Sequence, residues 1–374
     1  MDRAAELGSL NVQGGATPDH WLLDVPSFPP LKAEVLSTHT AALFTVAVKR
    51  AAELLRAGEV VALPTETVYG LAANALDAKA VARIYKAKDR PAHNPIIVHV
   101  ADVELAKRCV ANWPAIADDL ARAFWPGPLT MVLPKAPEIP DIVTAGGATV
   151  GVRWPSHPFI QAVIRECGFP LAAPSANLSN QISPTNAEHV RKQLGGRIPL
   201  IVDGGQSQVG IESTVIDLTS EPPAVLRPGM IHEESLIAVT GDLISHRGLK
   251  LPSQEALRSP GLLRKHYAPK AKLLLLDWQN DADLRSRITH PPSPGFGATG
   301  HASRTHVIAH THIPSGEGFA SVSVIPHDAE AFARAIYAEL HRCDEAGAEL
   351  IVVEALPDLP AWRAIADRLR RAAA

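Results

Sequence analysis

Cysteine is scarce. Cys109, Cys167 and Cys343 are the three in 374 residues, and no CxxC pair exists. This excludes a disulfide framework and a cysteine zinc site, and it fits a reducing compartment. No apolar run reaches membrane-spanning length. Met1–Gly15 has neither the basic start nor the apolar core of a secretory leader. The expectation is a soluble, cytoplasmic protein without a membrane partner. Charge of one sign is missing too: 36 Lys and Arg stand against 39 Asp and Glu, a net charge of −3. That lacks the global footprint of a nucleic-acid binder, although a local basic pocket stays open. The phosphate loops GxxxxGK[ST] and GxGxxG are absent, no Ser/His/Asp triad is assignable from spacing, and no internal repeat is visible.

What is present is globular. At 46% hydrophobic and 20% charged residues, the chain can bury large cores, and its length suits two domains. Residues 1–40 are broken by Pro26, Pro29 and Pro30 and read as an extension. Val46–Ala57 reads as an amphipathic helix closed by Gly58, and Glu59–Leu63 as a buried strand. Helices expected at 79–86, 103–110, 116–124, 158–166 and 187–194 alternate with strands at 95–100, 129–133, 150–153, 171–173, 200–202 and 213–218. That alternation predicts a twisted sheet flanked by helices, hence α/β. Polar residues with Pro252, Pro260 and Gly261 suggest a linker over 233–270. A smaller, mostly parallel α/β unit follows over 271–374, with strands at 272–276, 307–309, 322–325 and 350–354. Its helices are expected at 329–343, capped by Asp328, and at 361–373.

Four segments carry chemistry. Leu63-Pro64-Thr65-Glu66-Thr67-Val68-Tyr69-Gly70-Leu71 sets hydroxyls on a turn after a strand. One helix later, Lys88, Arg90 and Asn94 form a cationic loop suited to phosphate, the alternative being a solvated helix end. Ala173-Pro174-Ser175-Ala176-Asn177-Leu178-Ser179, continuing to Ser183-Pro184-Thr185, lies at a strand end where α/β sheets place ligands. There, Ser183 or Thr185 as a helix cap is the simpler reading. Gly210–Asp217 leads to Leu226-Arg227-Pro228-Gly229, either a recognition turn or a hairpin with a surface arginine. Arg153 ends a strand as a carboxylate clamp, or snorkels over Trp154. His301, His306, His310 and His312 lack partners at metal-ligand spacing, so no metal site is assigned.

Taken together, these segments resemble the threonylcarbamoyl-AMP synthase family, whose catalytic module is the YrdC-type domain. PTETVYGL, the KxR of AKDRPAHNPIIVHV, FWPGPLT, TVGVRWPSHP, APSAN…SPT, GIESTVID and LRPG occur in the family's order over about residues 45–232. Ser259-Pro260-Gly261 and His266-Tyr267-Ala268-Pro269 are similar to the interdomain linker of the long, two-domain form, and Asp367–Ala373 to its C-terminal end. The resemblance implies a YrdC-type twisted mixed sheet over 41–232, a linker or lid, and a smaller Rossmann-like C-terminal domain. It implies an enzyme that makes threonylcarbamoyl-adenylate and pyrophosphate from L-threonine, bicarbonate and ATP, with Mg²⁺ bound through the phosphates. The product would pass to a separate transferase acting on the tRNA adenosine beside the anticodon, and tRNA binding by this chain itself is not required.

By motif position, Lys88, Arg90, Ser175 and Asn177 would form the catalytic tetrad around the triphosphate and the reacting carboxylate. Asn94, Thr185, Arg227 and Tyr267 would join Arg90 and Asn177 on ATP. Thr67, His99, Thr130, Arg153 and Ser213 would surround L-threonine with Ser175. The chain departs from the family at Asn180, usually glycine, over Leu262–Lys265, and in lacking glycines at 357–360. A hydrogenase-maturation carbamoyltransferase shares the module but calls for zinc-finger cysteines. A non-catalytic RNA-binding module is the alternative of a different class, which the net charge disfavours.

Overall fold

The computed structural model describes residues 32–245, 267–289 and 304–374. The features read at 1–31, at Ser259–His266, in the loop 291–300 and at His301 lie outside them. In chain order the elements begin with β1 (Glu34–Ser37), α1 (Ala41–Arg56), β2 (Val61–Leu63), β3 (Gly70–Asn74), α2 (Ala78–Lys88), β4 (Val98–His99), α3 (Val103–Arg108) and α4 (Ala115–Phe124). Next come β5 (Leu129–Pro134), β6 (Thr149–Arg153), α5 (Pro158–Cys167), β7 (Leu171–Ala172), α6 (Ala187–Leu194), β8 (Leu200–Asp203), β9 (Thr214–Asp217), β10 (Ala224–Arg227) and α7 (Glu233–Thr240). The C-terminal part adds β11 (Lys272–Leu276), α8 (Asp281–Thr289), β12 (Thr305–Ala309), β13 (Ser321–Val324), α9 (Ala329–Glu345), β14 (Leu350–Glu354) and α10 (Arg363–Ala372).

Among the described residues the strands form two sheets. The larger is mixed and ten-stranded, ordered β1-β8-β2-β3-β7-β4-β6-β5-β9-β10. The smaller, β11-β14-β12-β13, is parallel throughout. The α/β class and the mostly parallel second sheet therefore stand as read from the sequence. Helix ends follow local chemistry. Thr40 caps α1 by accepting the Leu43 amide, and Gly58 closes it at φ +78°. Asp77 caps α2, and Asp89 at φ 50° ends it, which makes Lys88 its last residue.

Several elements differ from the sequence reading. Glu34–Ser37 lies in the stretch read as an extension, yet it pairs in parallel with β8. Helix α1 starts five residues earlier than expected. The run Gly-Leu-Ala-Ala-Asn of β3 carries no β-branched residue, so it gives no strand signal, but it is buried between β2 and β7. The strand expected at 95–100 shortens to Val98–His99. Helix α7, inside the expected linker, buries Leu236 in the main core. Asn186, rather than Ser183 or Thr185, caps α6. Asn180 adopts φ 66°, so asparagine holds the left-handed turn in which glycine was expected, and its carbonyl accepts the Ala268 amide at 2.9 Å.

The two sheets share apolar packing. Val68, Ile182 and Ile211 from the larger part cluster with Tyr267, Phe332, Tyr337 and Leu369. A Cβ at Gly210 would lie 2.3 Å from the Ala333 carbonyl oxygen, so α9 can approach only because that position has no side chain.

Candidate active site

A cleft enclosing roughly 540 Å³, its open mouth included, lies where the two parts meet. Thr65, Thr67, Arg90, His99, Arg153, Ser175, Glu212, Ser213, Arg227 and Tyr267 all contribute to its walls. They come from the ends of β4 and β6, the turn before β3, the loops after α2 and β7, the flanks of β9 and β10, and the segment before β11. Strand ends release side chains from the ladder, so the sheet collects them at one edge.

The first wall is set by Thr65. Its hydroxyl accepts the Thr67 and Val68 amides at 3.2 and 3.3 Å and bonds the Thr67 hydroxyl at 3.0 Å. That local turn presents Thr67 to Arg153, whose Nη1 donates to the Thr67 hydroxyl at 3.0 Å. Arg153 Nη2 also lies 2.7 Å from Glu66 Oε1. The contact is ionic rather than an aligned hydrogen bond, and both Glu66 oxygens lack an aligned partner among the described residues. Burial pushes the Glu66 carboxyl up, but Arg153 and the Ser156 amide together outweigh it and hold it below its usual range. Arg153 is thus buried against Glu66, not a snorkelling arginine over Trp154. Beside it, burial and the Arg153 charge bring His99 down to about 3, so the ring is neutral, and its Nδ1 has no partner among the described residues. Ser213 completes this end, with its hydroxyl 2.8 Å from that of Thr130. Thr130 sits behind the wall.

The opposite end is cationic. Arg90 is buried, with Nε donating to the Asn94 carbonyl at 3.0 Å and Nη2 to that of Pro95 at 2.7 Å. Arg227 donates from Nε and Nη2 to the Ser213 carbonyl and hydroxyl, both at 3.1 Å. The solvated helix end for Arg90 and the surface arginine at 227 therefore fail. Tyr267 covers this end, buried at φ 63° and hydrogen-bonded to Arg227.

Lys88 lies one layer back. Its ammonium donates to the Ser175 and Asn177 carbonyls. Burial, then the nearby Arg90 charge, hold it well below its ordinary value. Asn177 ties the same loop together, giving Nδ2–H bonds to the Leu178 and Gln181 carbonyls at 2.8 Å each. Asn94 is fully buried, and its side-chain amide oxygen and nitrogen have no hydrogen-bond partner among the described residues. Thr185 is buried away from the cleft lining, with its hydroxyl 3.4 Å from His189 Nδ1. Eight of the expected residues line the cleft, and Lys88, Asn94, Asn177, Thr130 and Thr185 form its backing.

Sequence reasoning left two carboxylates unassigned. Glu66 stood inside the opening motif, and its place between two threonines was the available signal. Glu212, in the GIEST run, accepts from Ser183 at 2.6 Å and Tyr337 at 3.1 Å. Among the described residues no group of three His, Cys, Asp or Glu could hold a metal. His306 bonds Ser321, and His310 and His312 donate backbone amides to Glu354.

Comparison with known proteins agrees with this geometry. The Sua5/YciO/YrdC family profile, described as telomere recombination, matches residues 53–229, and the threonylcarbamoyl-AMP synthase C-terminal domain matches 231–374. Threonylcarbamoyl-AMP synthase of Pyrococcus abyssi is 39% identical, covering 87% of this chain and 93% of its own. That of Bacillus subtilis is 41% identical, covering 87% and 92%. The crystal structure of P. abyssi Sua5 complexed with L-threonine superposes with a TM-score of 0.81 at 37% identity, over 91% of this chain and 96% of that one. The chain belongs to the threonylcarbamoyl-AMP synthase family, in its long two-domain form.

Proposed function

We propose that the protein joins L-threonine, bicarbonate or its CO₂, and ATP into threonylcarbamoyl-adenylate, releasing pyrophosphate and water. One observation carries the reading: the cleft has two chemically distinct ends. Neutral His99, Thr67, Ser213 and Arg153 make a pole for a zwitterionic hydroxy-amino acid. Arg90 and Arg227, close enough to perturb one another, make a pole for phosphates.

The residues then divide the work. Arg153 takes the threonine carboxylate, exchanging part of its attention from Glu66. Thr67, Ser213 and Thr130 read the hydroxyl side, and the free Nδ1 of His99 accepts from the amine. One proton from the ammonium converts bicarbonate to CO₂ and water. The neutral amine then attacks CO₂, releases its second proton to solvent, and the resulting N-carboxylate attacks the α-phosphorus as pyrophosphate leaves. No enzyme nucleophile is needed; positioning and charge stabilisation suffice. Arg90 and Ser175 face the transferring phosphate with Lys88 and Asn177 behind them, and Arg227 and Tyr267 face the nucleotide with Asn94 and Thr185 in the backing. Tyr267 excludes water from the labile carbamate. Magnesium, when bound, neutralises phosphate charge. The donor set fits an ion carried on phosphate oxygens, because Glu66 faces Arg153 and Glu212 faces an arginine of α10.

In this reading residues 41–232 are catalytic, joined in the same sheet and core by β1 and α7, and 271–374 form the domain closing on them. The protein acts in the cytoplasm, and its product passes to a separate tRNA-modifying transferase. No helix among the described residues is long and apolar enough to cross a membrane. The test is pyrophosphate release that requires all three reactants together. Release with ATP alone would mean a different reaction.

A further inference from the structure

The phosphate end of the cleft contains a carboxylate that should repel its ligand. Glu212 is nearly buried, lines the cleft, and lies close enough to Arg227 for each to shift the other's protonation. An exposed negative charge there would oppose ATP. Its charge is met instead by Arg368, 156 residues away in sequence, on the far side of the junction between the two parts.

Arg368 is fully buried on α10, and its hydrogen bonds go to a short set of partners. Nε donates to Glu212 Oε2 at 2.8 Å and Nη2 to the Pro228 carbonyl at 2.9 Å, while Nη1 meets Asp367 at 2.9 Å. The guanidinium also lies 5.5 Å from the centroid of the Tyr267 ring. Glu212 immediately precedes Ser213, and Pro228 immediately follows Arg227. One planar fork therefore joins both segments that face the reactants. Burying an arginine is expensive and an apolar contact would hold two domains as well. The chosen partners indicate a role beyond adhesion.

We propose that Arg368 is a positioning residue for the cleft: it masks the Glu212 carboxylate from the triphosphate and holds the Glu212–Ser213 and Arg227–Pro228 segments in register. The inference rests on the nucleotide-binding reading above. The C-terminal domain, through this one side chain, sets ATP affinity rather than only covering the site.

The test measures binding of a non-hydrolysable ATP analogue by calorimetry, and the KM for ATP, in R368M, R368Q, R368K, E212Q and E212Q/R368M, beside thermal unfolding of each. R368M or R368Q should weaken analogue binding by about tenfold or more, the scale expected when a buried charge loses its partner. R368K, which keeps the charge, should recover most of the loss. E212Q/R368M should bind better than R368M alone, because the repelling carboxylate is gone. If R368M does not fold, R368Q preserves hydrogen bonding and carries the comparison. Folded neutral variants that lose stability yet bind the analogue as wild type does would overturn the proposal, as would a double variant no better than R368M. A wild type that binds the analogue but never consumes ATP would defeat the synthase reading while leaving charge masking intact.

Discussion

Glu66 and Arg153, both buried, face each other at 2.7 Å, and their contact is not closed by an aligned hydrogen bond among the described residues. A guanidinium held this way has its position fixed and donors to spare, which suits a group that must accept a second carboxylate. Removing Glu66 should leave Arg153 buried and uncompensated. Glu66→Gln is expected to lower stability by roughly 3–5 kcal/mol. L-Threonine should then raise the Tm of Glu66→Gln by more than it raises that of wild type, because its carboxylate supplies the missing charge. Equal shifts in differential scanning fluorimetry would remove Arg153 from the threonine carboxylate.

Lys88 and Arg90 should matter to chemistry more than to folding. Lys88→Ala or Arg90→Ala is expected to lower kcat/KM for adenylate formation by about 10²–10³ or more, the range for losing a preorganised charge or donor. Circular dichroism should remain that of a folded protein. Near-normal turnover in either folded variant would sink the tetrad.

Acid stability has a defined sign. His99 and His189 are each depressed to about 3 in the folded protein, so the unfolded chain takes up their protons first as pH falls. Their stabilising contribution is complete above the ordinary value of 6.5 and shrinks as pH drops toward 3. Between pH 7 and pH 5 each should remove on the order of 2 kcal/mol. Glu66 and Glu212, held low, add their loss only below about 4.5, the ordinary carboxyl value. Urea unfolding at pH 7, 6 and 5 should therefore show a falling midpoint, and His99→Gln should flatten it. A pH-independent midpoint would contradict the burial of neutral rings.

Gly229 is a steric requirement. A Cβ there would stand 2.3 Å from the Thr214 amide nitrogen and 2.7 Å from the Ser213 carbonyl carbon. Gly229→Ala should destabilise by about 1–3 kcal/mol and raise KM for ATP by displacing Arg227. Unaltered stability and KM would show that the turn yields freely.

Much of the site was legible because its residues fall in short local runs. Thr67, Ser175 and Asn177 sit on turns that follow apolar strands, Ser213 stands at the mouth of one, and Arg153 ends one. Their types report the chemistry, while the resemblance, rather than spacing, names threonine. The burial of Lys88 was not legible, since its sequence, taken alone, reads more readily as a solvated helix end. Nor was β3, whose small residues become a strand only when two neighbours pair with it. The Glu212–Arg368 contact lies beyond any local pattern, because two separate units must fold and meet before it exists.

The central claim is the fate of the bicarbonate carbon. With ¹³C-bicarbonate, L-threonine and ATP, mass spectrometry should find an adenylate carrying one labelled carbon, appearing together with pyrophosphate and absent when threonine is left out. Pyrophosphate accompanied by an unlabelled threonyl-adenylate, or ADP and phosphate in place of pyrophosphate, would contradict it.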